Sequence, residues 1–185
     1  MKTIARILTA FIPCSRLRKE ARTKLTFLFY GIGVKRKAAR TGRCFWASAP
    51  TTVTRQTYIG DCVTSNGLAI HGCGKVTIGD HVQFGPETLI ISQNHNYEGA
   101  LLPYDWEYVG KDVRIGDCVW IGARVTILPG ATIGEGAIIQ AGSVVHGEIP
   151  PLAIAGGNPA KVFAWRDKDH YEKRKSEGQY IRSAR

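Results

Sequence analysis

Five histidines, His71, His81, His95, His146 and His170, are the side chains in this sequence best suited to move a proton near neutral pH. An unperturbed imidazole titrates close to neutrality, so it can take a proton and hand it on. His95 sits in the polar run Asn94-His95-Asn96-Tyr97-Glu98, and the segment after it holds Pro103, Tyr104, Asp105, Trp106 and Tyr108. A histidine base works best when its second ring nitrogen is held by a carboxylate or a backbone carbonyl. Glu98 is the nearest acid in sequence, and it reads equally as that partner or as a solvated loop residue. The five cysteines, Cys14, Cys44, Cys62, Cys73 and Cys118, form no Cys-x-x-Cys pair and no Cys/His spacing suited to zinc. They read as reduced small hydrophobes, and no metal is assigned.

The elements that must position such a residue are written in a period of six. Ile115, Ile121, Ile127, Ile133, Ile139 and Val145 recur without a miss, and Val113, Val119, Val125, Ala131, Ala137 and Ser143 stand two residues before them. Glycine follows the aliphatic position at Gly116, Gly122 and Gly134. A helix cannot give that spacing; short strands joined by tight turns can. If three strands make one coil, about eighteen residues complete a turn and the aliphatic ladder stacks inside a triangular prism. An earlier copy runs from Tyr58-Ile59-Gly60-Asp61 through Ile78-Gly79-Asp80, Phe84-Gly85 and Ile90, slightly broken over residues 65–77. Between the two copies, residues 96–111 read as a loop leaving the prism, with His95 where it departs.

The ends differ from the middle in charge. Residues 1–43 carry +11, residues 44–160 carry −5 and residues 161–185 carry +4, so the basic total of +10 belongs to the termini. This divides the chain into a basic amphipathic helical segment over 1–43, a β-helix over 44–160 and a basic C-terminal helix or tail over 161–185. In the first, Ile4, Ile7, Leu8, Phe11 and Ile12 follow helical spacing, Pro13 ends the pattern, Ser15 caps a second helix, and Gly31 or Gly33 stops it. Arg6 interrupts the short apolar run and Pro13-Cys14 is a poor processing site, so no signal peptide is expected. No stretch reaches the roughly 20 apolar residues of a spanning helix.

Specific segments over residues 58–165 resemble the hexapeptide-repeat acyltransferases, the group that includes maltose, galactoside and serine acetyltransferases and the streptogramin-inactivating enzymes. They are Asn94-His95-Asn96-Tyr97, Val119-Trp120-Ile121-Gly122-Ala123, Ile127-Leu128-Pro129-Gly130, Gly134-Glu135-Gly136-Ala137-Ile138, Ala141-Gly142-Ser143-Val144-Val145 and Gly156-Gly157-Asn158-Pro159-Ala160-Lys161. The resemblance implies an all-β fold, a left-handed parallel β-helix with N-terminal helices and a C-terminal helix or tail. Helices preceding such a domain further resemble enzymes that acetylate sugars during bacterial surface polysaccharide synthesis.

The same resemblance implies an activity and a set of site residues. The chain would transfer acetyl from acetyl-coenzyme A to a sugar hydroxyl in polysaccharide or lipopolysaccharide synthesis, with His95 as general base. Asn66 stands where these enzymes carry an active-site asparagine, and it reads equally as a turn residue. Trp120, Gly122, Ala123, Ala141, Gly142 and Lys161 would hold the donor, Lys161 as a point charge toward a phosphate, although Gly122 and Gly142 read also as coil corners and Lys161 as a solvated tail residue. Tyr97, Tyr104, Asp105 and Trp106 read either as the lining of the acceptor pocket, since aromatic faces and carboxylates suit sugars, or as residues that pack the loop down. A homotrimer with sites between neighbouring prisms is implied, so donor and base residues would come from different chains. A cytoplasmic location, where acetyl-coenzyme A is available, goes with this reading. The basic N-terminal helices either lie on an anionic membrane surface or cap the prism.

Other readings are an antibiotic O-acetyltransferase, which uses the same base and donor site, and a non-enzymatic β-helix scaffold. The scaffold leaves the Trp120 and Asn158-Pro159-Ala160-Lys161 segments unexplained. Nucleic acid is not an expected partner, since the basic ends carry no compact nucleic-acid-binding motif.

Overall fold

A computed structural model describes Thr3, Ile4, Thr9 and residues 15–181. Its body is a parallel β-helix of about six turns with three faces. The first face stacks Arg40–Thr41, Thr57–Ile59, Val76–Ile78, Val113–Ile115, Thr132–Ile133 and Glu148–Ile149. The second stacks Trp46–Ala47, Thr64–Ser65, Gln83–Phe84, Trp120–Ile121, Ile138–Ile139 and Ala153–Gly157. The third stacks Thr51–Thr52, Leu68–His71, Thr88–Ile91, Thr126–Ile127 and Val144–Val145.

The hexad period becomes this shape because alternate residues of each short strand point inward. Ile59, Ile78, Ile115, Ile133 and Ile149 stack behind the first face, Phe84, Ile121 and Ile139 behind the second, and Ile70, Ile90, Ile127 and Val145 behind the third, all buried. In the regular half each residue sits above the one eighteen positions earlier, as Trp120 faces Ile138 and Thr126 faces Val144. In the first half the interval stretches to nineteen at Tyr58↔Thr77 and twenty at Leu68↔Thr88, which is the slight break in the pattern.

The edge between the first and second faces shows why Ile-Gly-Asp recurs. A Cβ on Gly79 would lie 2.7 Å from the Gly116 carbonyl carbon, so the next coil leaves no room for a side chain. The aspartate after that glycine closes the same edge: the backbone N–H of Asp61 donates to Asp80 (2.7 Å) and that of Asp80 to Asp117 (2.8 Å). Arg43 adds its N–H and guanidinium to Asp61 one coil below.

A helix, α1 (Ser15–Lys37), covers the open first coil with Tyr30 and Val34 buried against it. It runs through Gly31 and Gly33, correcting the expected stop. Packing of Tyr30, Gly31 and Val34 on the first coil outweighs the roughly 1 kcal/mol helix penalty of each glycine. The expected helix over residues 4–12 falls largely outside the described residues, as does Cys14; Cys44, Cys62, Cys73 and Cys118 are free. Coil pairing starts at Arg40, a little before the expected start of the prism at residue 44.

The C-terminal basic stretch opens as a strand rather than a helix. Ala160–Trp165 folds back antiparallel on Ala153–Gly157, because the last coil otherwise presents a bare strand edge. A short helix, α2 (Lys168–Ser176), comes next, capped by Asp167, whose carboxylate accepts from the His170 N–H at 2.7 Å. Its buried Tyr171 donates to Glu135, which also accepts from Lys175.

Ile121→Ala removes side-chain volume from a fully buried site, and the denaturant midpoint is expected to fall by the equivalent of about 3 kcal/mol. At the C-terminal cap, the hydrogen bonds from Lys175 and Tyr171 hold Glu135 below the usual carboxylate range, while the bond to Glu135 raises Lys175 and burial raises Tyr171. The depressed carboxylate stabilises docking above its ordinary pKa and loses that effect as pH falls through its folded value. The raised groups stabilise docking below their ordinary pKa values and lose it as pH rises. Amide exchange over residues 168–176, relative to the prism, is therefore slowest between mildly acidic and mildly alkaline pH and rises on both sides.

Candidate active site

The loop expected over residues 96–111 interrupts the stacking at the edge between the third and first faces. Val76 pairs with Val113, thirty-seven residues on, so about one extra coil's worth of chain is thrown outward without disturbing the pairing on either side. The arms of this excursion pair with each other as an antiparallel hairpin, Gln93–His95 with Tyr108–Gly110, and His95 faces Tyr108.

His95 is half-buried between two phenol rings. Tyr104 stacks on it at 3.8 Å between centroids and 22° between planes, and Tyr108 lies at 4.6 Å and 42°. Its Nδ1 is buried with no hydrogen-bond partner. An unmet buried polar atom costs about 1–3 kcal/mol, which is tolerated where it serves a site. Glu98 does not hold that nitrogen: it is exposed, and its own N–H donates to Asn96 Oδ1 at 3.3 Å.

Asp105 takes the second of its two expected roles, packing the loop. Rather than facing an open pocket, its carboxylate accepts from Asn96 Nδ2 (3.0 Å) and from the Glu107 N–H (2.9 Å), pinning the two arms of the loop together. Tyr97 and Trp106 are exposed at 71% and 89%, so only Tyr104 of the expected acceptor residues touches His95. Tyr108, which was not singled out for the site, touches it as well. No spacing in the sequence announces that contact, since it depends on the hairpin register.

The expected donor residues lie elsewhere on the prism. Trp120 points outward from the second face, 57% exposed, in register with Gln83 and Ile138. At the edge between the second and third faces the Gly142 N–H donates to the Ala123 carbonyl (2.8 Å), bringing Ala123, Ala141 and Gly142 together. A Cβ on Gly122 would sit 2.5 Å from the Ala141 nitrogen, so that glycine is required by coil stacking. Lys161 is exposed, paired with Gly156 on the strand that returns along the second face. Asn66 shares the Ala123 edge on a lower coil, its Oδ1 accepting from Ser48 Oγ at 2.6 Å. His95 is thus one face away from every one of these groups.

Residues 112–147 match the profile described as bacterial transferase hexapeptide (six repeats). The galactoside O-acetyltransferase of Escherichia coli is 34% identical over 146 residues, covering 76% of this chain and 71% of that protein. The chain belongs to the hexapeptide-repeat acetyltransferase family. Two further relatives, acetyltransferases of Schizosaccharomyces pombe and Saccharomyces cerevisiae described as putative, are each 43% identical, over 46% and 57% of this chain. The chain spans about half the length of those two relatives, 41% and 54%. Among solved structures, a galactoside acetyltransferase in complex with coenzyme A superposes with a TM-score of 0.63 at 28% identity, covering 92% of this chain and 80% of that one. A Vibrio cholerae hexapeptide-repeat acetyltransferase complexed with acetyl-coenzyme A has the same fold, at TM-score 0.63 and 24% identity over 90% of this chain and 86% of that one.

Within the excursion, the Asp105 carboxylate joins the backbone bonds from the Asn96 N–H to the Glu107 carbonyl and from the Asp105 N–H to the Asn96 carbonyl in tying the two arms together. Asp105→Ala is expected to speed proteolytic cleavage within residues 96–107 by about tenfold while the melting temperature of the prism stays within a few degrees.

Proposed function

We propose that this chain is an acetyl-coenzyme A-dependent O-acetyltransferase that acetylates a sugar hydroxyl in surface polysaccharide or lipopolysaccharide synthesis, with His95 as general base. The observation that carries the reading is His95 itself, fixed between Tyr104 and Tyr108 at the mouth of the excursion on a prism whose relatives include a galactoside O-acetyltransferase. Burial of Nδ1 leaves Nε2 as the open ring nitrogen. That atom takes the acceptor hydroxyl proton as the oxygen attacks the thioester carbonyl, then returns it to the departing sulfur, so the imidazole ends as it began. Tyr104 and Tyr108 keep the ring in one plane and present aromatic surface to a sugar.

Ser48 occupies the Asn66 carbonyl oxygen, which turns Nδ2 outward as a donor for the developing oxyanion. Trp120 and the small residues Ala123, Ala141 and Gly142 leave room for the pantetheine arm, and Lys161 meets a phosphate. The separation of these groups from His95 by one face of the prism favours a homotrimer, in which one copy's donor edge closes on its neighbour's His95. The enzyme would work in the cytoplasm beside the inner face of the membrane, held there by basic α1, whose Leu17, Leu28 and Ile32 are exposed.

Thiol release from acetyl-coenzyme A with a panel of sugars tests the chemistry. His95→Ala is expected to lose about 100-fold or more in kcat. Glu98→Ala, which removes an exposed side chain with no hold on Nδ1, is expected to stay within about threefold of wild type; a loss equal to that of His95→Ala would place Glu98 in the machinery after all. Full turnover by His95→Ala would remove the base assignment. For the trimer, inactive His95→Ala and Ala141→Arg chains refolded together should recover about a quarter of wild-type activity, the random share of interfaces with both halves intact.

A further inference from the structure

Between α1 and the first coil lies a groove of about 490 Å³ that the proposed chemistry does not use. This is within the roughly 300–1,000 Å³ of small-ligand sites. Phe27, Leu28, Ile32, Phe45 and Trp46 make it apolar, with Phe27 set edge-on to Trp46 at 5.4 Å between centroids. Leu28 and Ile32 are 57% and 39% exposed although they neighbour one another on a single helix stripe. Lys24 and Lys35 close the two ends of that stripe, about 16 Å apart along the helix.

The charge at the rim is of one sign. Lys24, Lys35 and Arg43 line the groove, and among the described lining residues there is no acid. Arg43 is held by Asp61, whereas Lys24 and Lys35 stand exposed with no ion pair among the described residues. An apolar slot ending in free ammonium groups matches an amphiphile with an anionic head, not a neutral sugar and not a nucleotide, whose base would leave the aliphatic stripe uncovered.

We infer that this groove seats one anionic phospholipid of a bilayer, its acyl chain along Phe27, Leu28, Ile32 and Trp46 and its phosphate against a lysine ammonium at one end of the slot. The inference rests on the peripheral membrane contact proposed above and gives it a specific seat. It also sets the orientation: the first coil faces the bilayer, and the excursion carrying His95 stands two coils away from it.

The experiment uses the full chain with vesicles of phosphatidylglycerol mixed into phosphatidylcholine, and with phosphatidylcholine alone. Wild type should bind the anionic vesicles only, and lipids brominated on the acyl chain should quench Trp46 fluorescence, an effect lost in Trp46→Phe. Lys24→Gln with Lys35→Gln should weaken binding about 30-fold, from two lysines at an anionic surface, while Lys168→Gln with Lys173→Gln, equal in charge, should change it less than about threefold. Leu28→Gln with Ile32→Gln should abolish quenching and leave thiol release intact, both positions being exposed. Equal losses from the two lysine pairs would overturn the groove and leave only diffuse surface attraction. A change in molar mass in the Leu28/Ile32 variant would assign the groove to a second copy of the chain. Absence of vesicle binding by wild type would overturn both the groove and the membrane contact, with the acetyltransferase reading untouched.

Discussion

Every coil of this prism gives its backbone N–H and C=O groups to the coils above and below, in register on three faces at once. This one constraint governs what the sequence is free to vary. An extra residue inside a strand would shift its inward side chains to the surface, so irregularity is confined to the edges, where it costs little. The first half accepts one or two additional residues there, and the third edge accepts the whole excursion, because Ser92 and Lys111 still meet through an N–H to carbonyl bond of 2.9 Å where it leaves and returns. The glycines and aspartates of the first edge answer the same demand, one by removing Cβ and the other by supplying an acceptor to the neighbouring coil.

The site inherits its character from that arrangement. A rigid prism fixes the two roots of the hairpin, so His95 is set by strand pairing rather than by the loop's own chemistry, and two tyrosines complete its enclosure. The three-faced geometry also spreads the candidate groups, with the histidine on one edge and the small residues and the asparagine on another. Chemistry that needs both has to bring two edges together, and copies related by rotation do so without any change in the fold.

The ends of the solenoid are managed in two ways. At the C-terminus the chain folds back as a strand and docks α2 through Tyr171, Glu135 and Lys175. At the N-terminus α1 covers the first coil with one face and leaves a second apolar stripe open between lysines. The basic charge of the termini therefore has two physical settings: a salt-bridged cap at one end and a lysine-bracketed groove at the other.

The period of six from Ile115 to Val145 determined the repeat, the inward ladder and the eighteen-residue coil, because inward residues must be apolar and evenly spaced whatever surrounds them. The polar run around His95 likewise announced where the ladder breaks. Tertiary structure alone decided the rest. Gly31 and Gly33 lie inside a helix because Tyr30 and Val34 fold back onto the first coil, and Ala160–Trp165 is a strand because the last coil leaves an edge to pair. Asp105 became a clasp and Tyr108 a neighbour of His95 through a register that brings together residues about a dozen apart. Local spacing reports which side of a strand a residue faces. It carries no record of which distant chain segment will meet it there.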